Sequence, residues 1–566
     1  MKKTLLVSCL LAGFATSGAT VANTVANTVA NSDIKQGGDL SLITKLVDAH
    51  VRNFNPYNDA VGQYYARDFM YETLWIPNIM HPDKPIPVLA TSYEVPKDLK
   101  SVIFNLREGV KWSDGEEFTA DDVVFTVELA KKFPAYNVQG VLWYDKATDE
   151  GNIISVEKIG KYQVRINLSK PNGLAYLGLG AMYPLPEHIW KDIKDPKNFR
   201  NENPVATGPF INVKRFTPSI IKVCRNENYW QEGKPYLDCL KFPQYSGNEQ
   251  ALAAAAKGKV DWLGVGLSNT KSFTKKSKDN KYWLSAGGNT NLQLNTTKAP
   301  FNNLEFRKAM SMAINRTDLV EFATFGLTTA TKYPIGTGEF YKSWYNKESL
   351  AKYEYLMEYN PKAAKKILDD AGIKDIDGDG WRENADGTPI SFKISVPSGW
   401  TDWVNSVMQI SENLQDIGIN ARAHTPDENA WFDAVPTGDF DAYIMWTHSN
   451  VVPWGTYNDL FNPKDMNSPK LSFQAMHQMR LPKLMAELDK FTQTVDLAEQ
   501  KELIGNVHEI VAQNLPVISL FANPEWYEYS TRNFTGWVTA ENQYVRPMVH
   551  GGTPERWFHV LQLHQK

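Results

Sequence analysis

The sequence is poor in cysteine, in runs of like charge and in long apolar segments. Its 566 residues include 3 cysteines, and 60 basic residues nearly balance 64 acidic ones, for a net charge of −4. It contains no basic stripe of the kind that binds nucleic acid, so no nucleic-acid partner is expected. Beyond the N-terminal segment there is no run of about 18 apolar residues, which predicts a soluble mature chain.

The motifs of several enzyme classes are also missing. No serine stands in a GxSxG context, no GxxxxGK[ST] loop occurs, and no CxxC or His/Cys cluster has zinc spacing. Asp121 and Asp122 begin a predicted helix, where carboxylates usually interact with the helix dipole. Nothing places a second acid at the separation that a glycosidase requires. The sequence therefore predicts neither an enzymatic activity nor a cofactor.

The first thirty residues indicate export. Two lysines precede the apolar stretch LLVSCLLAGFA, and a repeated TVA ends at Ala22, Ala26 and Ala30, where a signal peptidase could cut. A lipoprotein signal ending at Cys9 is the alternative, although few apolar residues precede it. Residues 1–30 are predicted to be a signal peptide and polar leader, which places the mature chain in the periplasm of a Gram-negative bacterium.

Removal of this leader leaves two cysteines, Cys224 and Cys239. They flank RNENYWQEGKPYLD, a segment typical of a strand, a turn and a second strand. Two cysteines close together in an exported protein most simply form one disulfide. Two reduced, buried thiols are the alternative.

Apolar periodicity predicts alternating strands and helices. SVIFNLREGVKW alternates like a strand, and TADDVVFTVELAKKF is typical of a helix with Thr119 as its N-cap. NLEFRKAMSMAINRTDLVEFA is predicted to be one continuous helix. In the later half SFKISVP, VNSVMQISENLQDIG, INARAHTP, ENAWFDAVPTG and FDAYIMW again alternate between strand and helix. This order predicts a mixed α/β fold with open sheets in two or more lobes.

Longer segments resemble a known family. The resemblance is carried by LREGVKWSDGEEFTADDVVFTVELAKK (106–132), RNENYW (225–230), LQLNTTKAPFNNLEFRKAMSMAINR (292–316) and YNPKAAKKILDDAG (359–372). Together they resemble the extracellular solute-binding protein family 5, the oligopeptide, dipeptide and oligosaccharide receptors of ABC importers. The resemblance implies a two-lobed "Venus flytrap" that closes on its ligand. It also implies a monomer without catalytic activity that delivers this ligand to an inner-membrane permease.

The resemblance also implies a division of the chain in which a third subdomain is inserted into the first lobe. The predicted ranges are 31–60 for the start of lobe 1, 61–204 for the inserted subdomain, 205–305 for the continuation of lobe 1, 306–533 for lobe 2 and 534–566 for the return to lobe 1.

The turn SGWTDW (398–403) suggests what the ligand is. It places two indoles and a carboxylate between a predicted strand and a predicted helix. The apolar face of a β-linked glucose-type ring stacks on an indole, and a carboxylate accepts hydrogen bonds from adjacent hydroxyls. Trp400 is therefore predicted to be a platform and Asp402 an acceptor. The turn also resembles the oligosaccharide branch of the family, which implies Trp526 as a second platform and Asn248 as an amide for the sugar.

Four further aromatic residues are candidates for the same site. Trp403 either lines the site or packs beneath Trp400, and Trp446 is either a platform or the end of a core strand. Trp454 follows a proline in a loop and is predicted to line the mouth. Tyr64 is predicted to reach the cleft from the first lobe.

An oligopeptide is the rival ligand. Peptide-binding relatives carry W-x-A-D after a strand, and its Asp pairs with the α-ammonium of the peptide. Here FDAYIMWTHSN (440–450) places Asn450 at that point and holds no carboxylate after Asp441. Trp446 stands where the chitin-type receptors have a small amide. A cello-oligosaccharide or another β-glucan is therefore predicted ahead of a chitooligosaccharide, with an oligopeptide as the further alternative.

One acidic segment resembles half of a calcium-binding loop. DIDGDGWRENAD (375–386) spaces Asp375, Asp377 and Asp379 at alternate positions before a glycine, but its twelfth position is Asp386 and not glutamate. The segment either holds a structural calcium ion or is a tight polar loop.

Overall fold

The fold combines several β-sheets with helices that alternate with their strands, as the sequence predicts. The computed structural model describes residues 34–58, 65–82, 84–147, 149, 151–266, 269–285, 287–462, 475–550 and 553–566. The predicted signal peptide and Tyr64 lie outside these residues. Within them, the α-helices are Ala120–Lys132, Ala175–Gly180, Glu187–Trp190, Asn248–Ala256, Thr270–Lys276, Leu304–Ala313, Arg316–Asp318, Lys347–Ala351, Pro361–Asp370, Thr401–Gln415, Glu428–Ala434, Pro453–Phe461, Pro482–Thr492, Leu497–Asn514 and Glu555–Val560.

A four-stranded sheet, which we call the first-lobe sheet, contains the disulfide. Its strands lie in the order Asp39–Ser41, Cys239–Pro243, Ile220–Arg225 and Phe210–Thr217. The first pair is parallel and the others are antiparallel. Cys224 and Cys239 stand directly opposite each other in neighbouring strands and are joined by a disulfide, which confirms that prediction. The pairing follows from the strand–turn–strand segment between them, because the turn brings the two strands into register.

A second four-stranded sheet is wholly antiparallel and lies within the predicted insertion. Its strand order is Ala90–Glu94, Ser101–Leu106, Gln163–Leu168 and Ile153–Gly160. Buried residues of this sheet and of the first-lobe sheet belong to one continuous apolar core. The helix Ala120–Lys132 begins at the predicted N-cap, where Thr119 Oγ1 accepts a hydrogen bond from Asp121 N at 3.2 Å.

A five-stranded mixed sheet, which we call the second-lobe sheet, supports a separate apolar core. Its strand order is Asn420–His424, Ser391–Ser395, Ala442–Thr447, Asn289–Leu294 and Val517–Ala522. The first three strands are parallel, and Asn289–Leu294 runs antiparallel to both of its neighbours. Leu292, Ile394, Ile444 and Ile518 are fully buried in this core.

Two boundaries differ from the predicted ones. The strand Asn289–Leu294 lies in the middle of the second-lobe sheet, although 205–305 was predicted to be lobe 1. The strand Glu528–Ser530 pairs with Trp262–Leu263 and Asn280–Tyr282, although 306–533 was predicted to be lobe 2. The chain thus enters the second-lobe sheet earlier and leaves it earlier than predicted, because a strand's own residues do not reveal which sheet it joins.

The predicted long helix after residue 303 is interrupted. Leu304–Ala313 ends at Ile314, which has an extended backbone, and a short helix restarts at Arg316–Asp318. Asn315 causes the restart, because its side chain caps the new helix by accepting a hydrogen bond from Asp318 N at 3.3 Å. In the part of the chain that the structure describes, no helix combines the length and apolarity that crossing a membrane requires.

Candidate functional site

The two lobes touch where two helices begin. The turn before helix Asn248–Ala256 meets the turn before helix Thr401–Gln415, and Asn248 N lies 3.4 Å from Gly399 O. The fit is tight, since a Cβ atom added to Gly399 would lie 2.8 Å from Ser246 O. The space between the lobes is therefore closed at this edge.

Two predicted site residues meet across this contact, one from each lobe. Asn248 Nδ2 donates a hydrogen bond to Asp402 Oδ1 at 3.4 Å, and both side chains are buried. Burial raises the pKa of Asp402 to about 6, although backbone N–H groups and the Asn248 amide favour its charged form. Gly266 covers the pair, because a Cβ atom there would lie 2.9 Å from Asp402 Oδ1 and 3.0 Å from Asn248 Nδ2.

Aromatic rings surround Trp400 beside this pair. The ring of Trp400 lies 5.2 Å from that of Trp403, 5.8 Å from those of Trp431 and Trp446, and 6.3 Å from that of Phe432, between centroids. Trp400 and Trp446 keep some accessible surface, whereas Trp403 and Trp431 are buried. Trp403 packs against Trp400 as part of the second-lobe core, so the structure favours its core role over direct ligand contact.

Two other predicted site residues, Trp526 as a second platform and Trp454 at the mouth, are engaged in packing. Trp526 is 9% exposed and belongs to the apolar cluster beneath helix Asn248–Ala256. Trp454 packs in a different apolar cluster from Trp400, and its indole N–H donates to Leu488 O at 2.9 Å. The structure therefore does not bring Trp454 into contact with the Trp400 cluster. Ligand contact by Trp526 stays a prediction.

The wall of the second lobe continues from Trp446 past His448. Their ring centroids lie 6.0 Å apart. The side chain of His448 is exposed just after the end of strand Ala442–Thr447.

Arg546 belongs to a buried charge cluster. Arg546 Nη2 lies 3.2 Å from Glu555 Oε2, and Arg546 Nη1 lies 3.7 Å from Glu525 Oε1. Within the described ranges, Arg546 Nε, Glu525 Oε2, Glu555 Oε1 and Ser449 Oγ are buried without a hydrogen-bond partner. An unpaired buried polar atom costs about 1–3 kcal/mol, so these atoms indicate where water or a ligand completes the bonding. Sequence reasoning missed the cluster, because no motif links residues so far apart in the chain.

A second polar contact joins the lobes beside the aromatic cluster. Lys45 Nζ lies 3.9 Å from Glu428 Oε1 and 5.3 Å from the centroid of the Phe432 ring. Burial raises the pKa of Glu428 to about 6, while the charge of Lys45 opposes this rise. Both groups are partly exposed, so the pair contributes little to stability. It is a second point at which the two lobes contact each other.

The acidic segment holds a different trio from the predicted one. The carboxylates of Asp375, Asp377 and Glu383 lie within 4.8 Å of one another. Asp379 is not in this group, because its carboxylate turns to accept a hydrogen bond from Trp381 N at 2.8 Å. Asp375 accepts from the N–H groups of the loop itself. The calcium site therefore stays a prediction, with Glu383 in the place assigned to Asp379.

Two lobes, each with its own sheet and core, that meet at aromatic and polar side chains are typical of a binding protein of the flytrap class. A family model agrees: that of the bacterial extracellular solute-binding proteins, family 5 Middle, matches residues 84–468. The chain therefore belongs to the bacterial extracellular solute-binding proteins, family 5.

Curated relatives extend over most of the chain. The oligopeptide-binding protein AppA of Bacillus subtilis is 25% identical over 425 residues, which are 74% of each chain. The probable ABC transporter periplasmic-binding protein SapA of Escherichia coli is 25% identical over 520 residues, 86% of this chain and 88% of that one. The heme-binding protein A of Haemophilus influenzae is 32% identical over 304 residues, 50% of this chain and 53% of that one.

Solved structures share the whole fold. A mannohexaose-bound periplasmic oligopeptide-binding protein from Thermotoga maritima has a TM-score of 0.82 and 27% identity, and the match covers 93% of this chain and 98% of that one. AppA from Bacillus subtilis, in complex with a nonapeptide, has a TM-score of 0.77 and 22% identity, covering 94% and 100%. The predicted two-lobed periplasmic-binding-protein fold is confirmed. The resemblance to an oligosaccharide branch stays a prediction.

Proposed function

We propose that this solute-binding protein captures a β-linked oligosaccharide and presents it to the permease of an ABC importer. The observation that carries the proposal is the buried Asn248–Asp402 pair, which joins the lobes directly beside the partly exposed indoles of Trp400 and Trp446. An apolar ring face and a hydroxyl-accepting carboxylate side by side are what a sugar ring requires. The sequence favours a cello-oligosaccharide or another β-glucan over a chitooligosaccharide.

In this proposal, ligand binding and lobe closure are one event. Asn248 comes from the first lobe and Asp402 from the second, so a sugar that bonds to both is held only when the lobes approach each other. Such a ligand stabilises the closed state by its differential affinity for the closed and open forms. The permease can then recognise closure as occupancy.

An oligopeptide is the second candidate, and the names of the relatives favour it. AppA is named as an oligopeptide-binding protein and has been solved with a nonapeptide. The Thermotoga maritima protein, however, is also named as oligopeptide-binding and holds mannohexaose. A peptide name in this family is therefore compatible with a sugar ligand, and the ligand has to be decided by measurement.

A thermal-shift panel tests the proposal. The probes are cellobiose, laminaribiose, N,N′-diacetylchitobiose and a tripeptide, each at concentrations from micromolar to millimolar. A ligand present at 100 times its Kd stabilises the folded protein by about 2.7 kcal/mol, which raises the melting temperature measurably. We expect a shift with at least one disaccharide. If only the tripeptide raised the melting temperature, the ligand would be a peptide and the oligosaccharide proposal would be wrong.

A further inference from the structure

One segment of the first lobe is strongly basic. Residues 257–281 contain seven lysines, two aspartates and no other charged residue, whereas the whole chain carries a net charge of −4. In the sequence these lysines are spread over the end of one helix, a second helix and a strand, so they form no continuous run. All seven are exposed: Lys257, Lys259, Lys271, Lys275, Lys276, Lys278 and Lys281.

The side chain of Asn280 brings the ends of the two helices together. Its amide donates to Ala256 O at 3.3 Å and to Phe273 O at 3.0 Å. These carbonyls belong to the last turns of helices Asn248–Ala256 and Thr270–Lys276. Because Asn280 also begins the strand that follows, the lysines at both helix ends and on the strand lie around one buried point.

Arg532 adds a further cation to this group. A Cβ atom added to Gly258 would collide with Arg532 Nη1, so the guanidinium lies directly over the glycine between Lys257 and Lys259. Arg532 is exposed as well. We call the seven lysines and Arg532 the basic face.

The basic face has no counterions of its own. Within the described ranges, none of its eight cations forms an ion pair, whereas Lys222 of the same lobe lies 2.7 Å from a carboxylate oxygen of Asp39. Of the two aspartates in the segment, Asp261 is buried, and Asp279 accepts a hydrogen bond from the side chain of Thr531 at 3.4 Å. The positive charges are therefore balanced only by solvent ions or by a partner.

The helix dipoles explain only part of this arrangement. A positive charge near the C-terminus of a helix is stabilising, which accounts for Lys257, Lys275 and Lys276. Lys271, by contrast, is in the first turn of its helix, where a positive charge is unfavourable. The other four cations lie outside both helices. Since like charges repel each other and destabilise the compact state, the rest of the basic face calls for a partner.

The basic face lies away from the contact between the lobes. Helix Asn248–Ala256 begins at that contact, where Asn248 meets Asp402, and ends at the basic face about 14 Å further on. The strand Asn280–Tyr282 precedes the chain crossing to the second-lobe sheet, so the basic face belongs to the first lobe. A partner bound there would not restrain the opening and closing of the cleft.

The chemistry of lysine favours a diffuse anionic partner over a shaped one. Its ammonium group is a compact charge on a flexible stem, and lysine is depleted at protein–protein interfaces. The headgroups of anionic phospholipids present many negative charges in one plane, and such surfaces attract clusters of about four to eight Lys or Arg residues. The number and exposure of the cations on the basic face match this pattern.

We propose that the basic face binds an anionic phospholipid surface. The first lobe then holds the receptor at a membrane, while the second lobe stays free to move. The inference goes beyond the proposed function and does not depend on which ligand the cleft binds.

Vesicle cosedimentation tests this binding. The mature protein is mixed, at about 50 mM NaCl, with vesicles of equal parts phosphatidylglycerol and phosphatidylcholine or with vesicles of phosphatidylcholine alone. We expect binding to the anionic vesicles and none to the neutral ones. The partition coefficient should fall about tenfold or more at about 500 mM NaCl, because salt screens exposed charges. These comparisons need no substitution.

Two matched variants locate the binding surface. The first replaces four lysines of the basic face: Lys257→Gln, Lys275→Gln, Lys278→Gln and Lys281→Gln. The control replaces four exposed lysines elsewhere: Lys342→Gln, Lys362→Gln, Lys483→Gln and Lys501→Gln. Both remove the same number of positive charges. The first should lower the partition coefficient about tenfold or more, and the control should bind like wild type. Melting temperatures equal to that of wild type show that both variants fold.

Three results would overturn the inference. They are no binding to anionic vesicles at low salt, equal binding to neutral vesicles, and an equal loss of binding in both variants. A dimer in sedimentation velocity that the basic-face variant alone loses, together with no vesicle binding, would make the partner a second copy of this chain and the lipid proposal wrong.

Discussion

At the scale of single residues, the buried carboxylate of Asp402 has no cation beside it among the residues that the structure describes. Asp402 is buried at the start of a helix, where the N–H groups and the helix dipole favour its anion. Its remaining polar contact comes from the other lobe. Such a group is suited to a ligand that brings hydroxyl donors, because these replace water when the lobes close.

Trp400→Ala tests the aromatic platform. Buried aromatic residues at recognition sites act as hot spots, so we expect the variant to lose about 2 kcal/mol or more of binding free energy for the ligand found by the panel. Isothermal titration calorimetry measures the loss. Trp381→Ala, which removes a partly exposed indole from the acidic segment, should leave the affinity unchanged. Equal affinities for wild type and a folded Trp400→Ala protein would contradict the platform role.

The pKa of Asp402 predicts a pH dependence of closure. Burial in the closed form raises this pKa from 3.8 to about 6, and an opened cleft would return the carboxylate to water and its ordinary pKa. The closed form then binds the proton more tightly, so its population without ligand should increase as the pH falls from 6 towards 4. Small-angle scattering over this range measures the change.

Asp402→Asn is the matched variant for this titration. It should weaken the pH dependence without abolishing it, because burial also raises the pKa values of Glu428 and Asp459. Identical scattering profiles of wild type at pH 4 and pH 7 would contradict the expectation.

At the scale of elements, the local sequence patterns predicted where strands and helices occur better than they predicted which strands pair with each other. SFKISVP and VNSVMQISENLQDIG correspond to Ser391–Ser395 and Thr401–Gln415, since periodicity and the turn residues are local properties. The prediction assigned Asn289–Leu294 to lobe 1, because the residues of a strand do not show which sheet it joins. Its polar side chains bond to distant segments, as when Asn291 Nδ2 donates to Gly336 O at 3.0 Å.

For the candidate site too, the sequence predicted residues that belong to a local motif and missed those brought together by the fold. The turn 398–403 predicted Trp400 and Asp402 as candidate site residues, because a polar turn rich in indoles is visible in the sequence. The Arg546 cluster was not predicted, because it brings together residues from distant segments of the chain. Trp431, inside the predicted helix ENAWFDAVPTG, supports Trp400 only because the fold places the two side by side.

The disulfide gives a prediction at this scale. The double variant Cys224→Ser/Cys239→Ser should lower the free energy of unfolding by up to about 3 kcal/mol, since the bridge closes a loop with a sequence separation of 15. Urea unfolding monitored by circular dichroism measures the difference. Wild type in reducing buffer should unfold like the double variant. Coincident curves for oxidised wild type and the double variant would show that the bridge contributes nothing.

At the scale of the whole molecule, the two lobes are connected by chain crossings and by contacts that include the tight one at Gly399. The chain crosses between Tyr282 and Asn289 and again between Ala522 and Glu528. The contact at Gly399 is backbone to backbone, so it leaves no room for a side chain when the lobes are closed. Closure should therefore be sensitive to a single methyl group.

Gly399→Ala tests this sensitivity. Its added Cβ atom would lie 2.8 Å from Ser246 O of the other lobe, so we expect weaker ligand binding and a larger radius of gyration at saturating ligand than in wild type. Gly505→Ala is the control, because nothing lies within 4 Å of a Cβ atom at that helical position. Scattering and calorimetry on both variants decide the point. Wild-type compaction and affinity in Gly399→Ala would show that this contact does not limit closure.

The same crossings determine how the molecule transmits mechanical force. Lys35 forms an antiparallel bridge with Gln565, and His564–Gln565 pairs with Phe534–Thr535. A force applied between residues 35 and 565 would act on this bridge first, and the hydrogen bonds of the paired strands would break one after another. The second-lobe sheet lies between the two crossings, outside the load path until the first lobe yields. When the protein is stretched from these two points, the first lobe would unfold while the second lobe stayed folded.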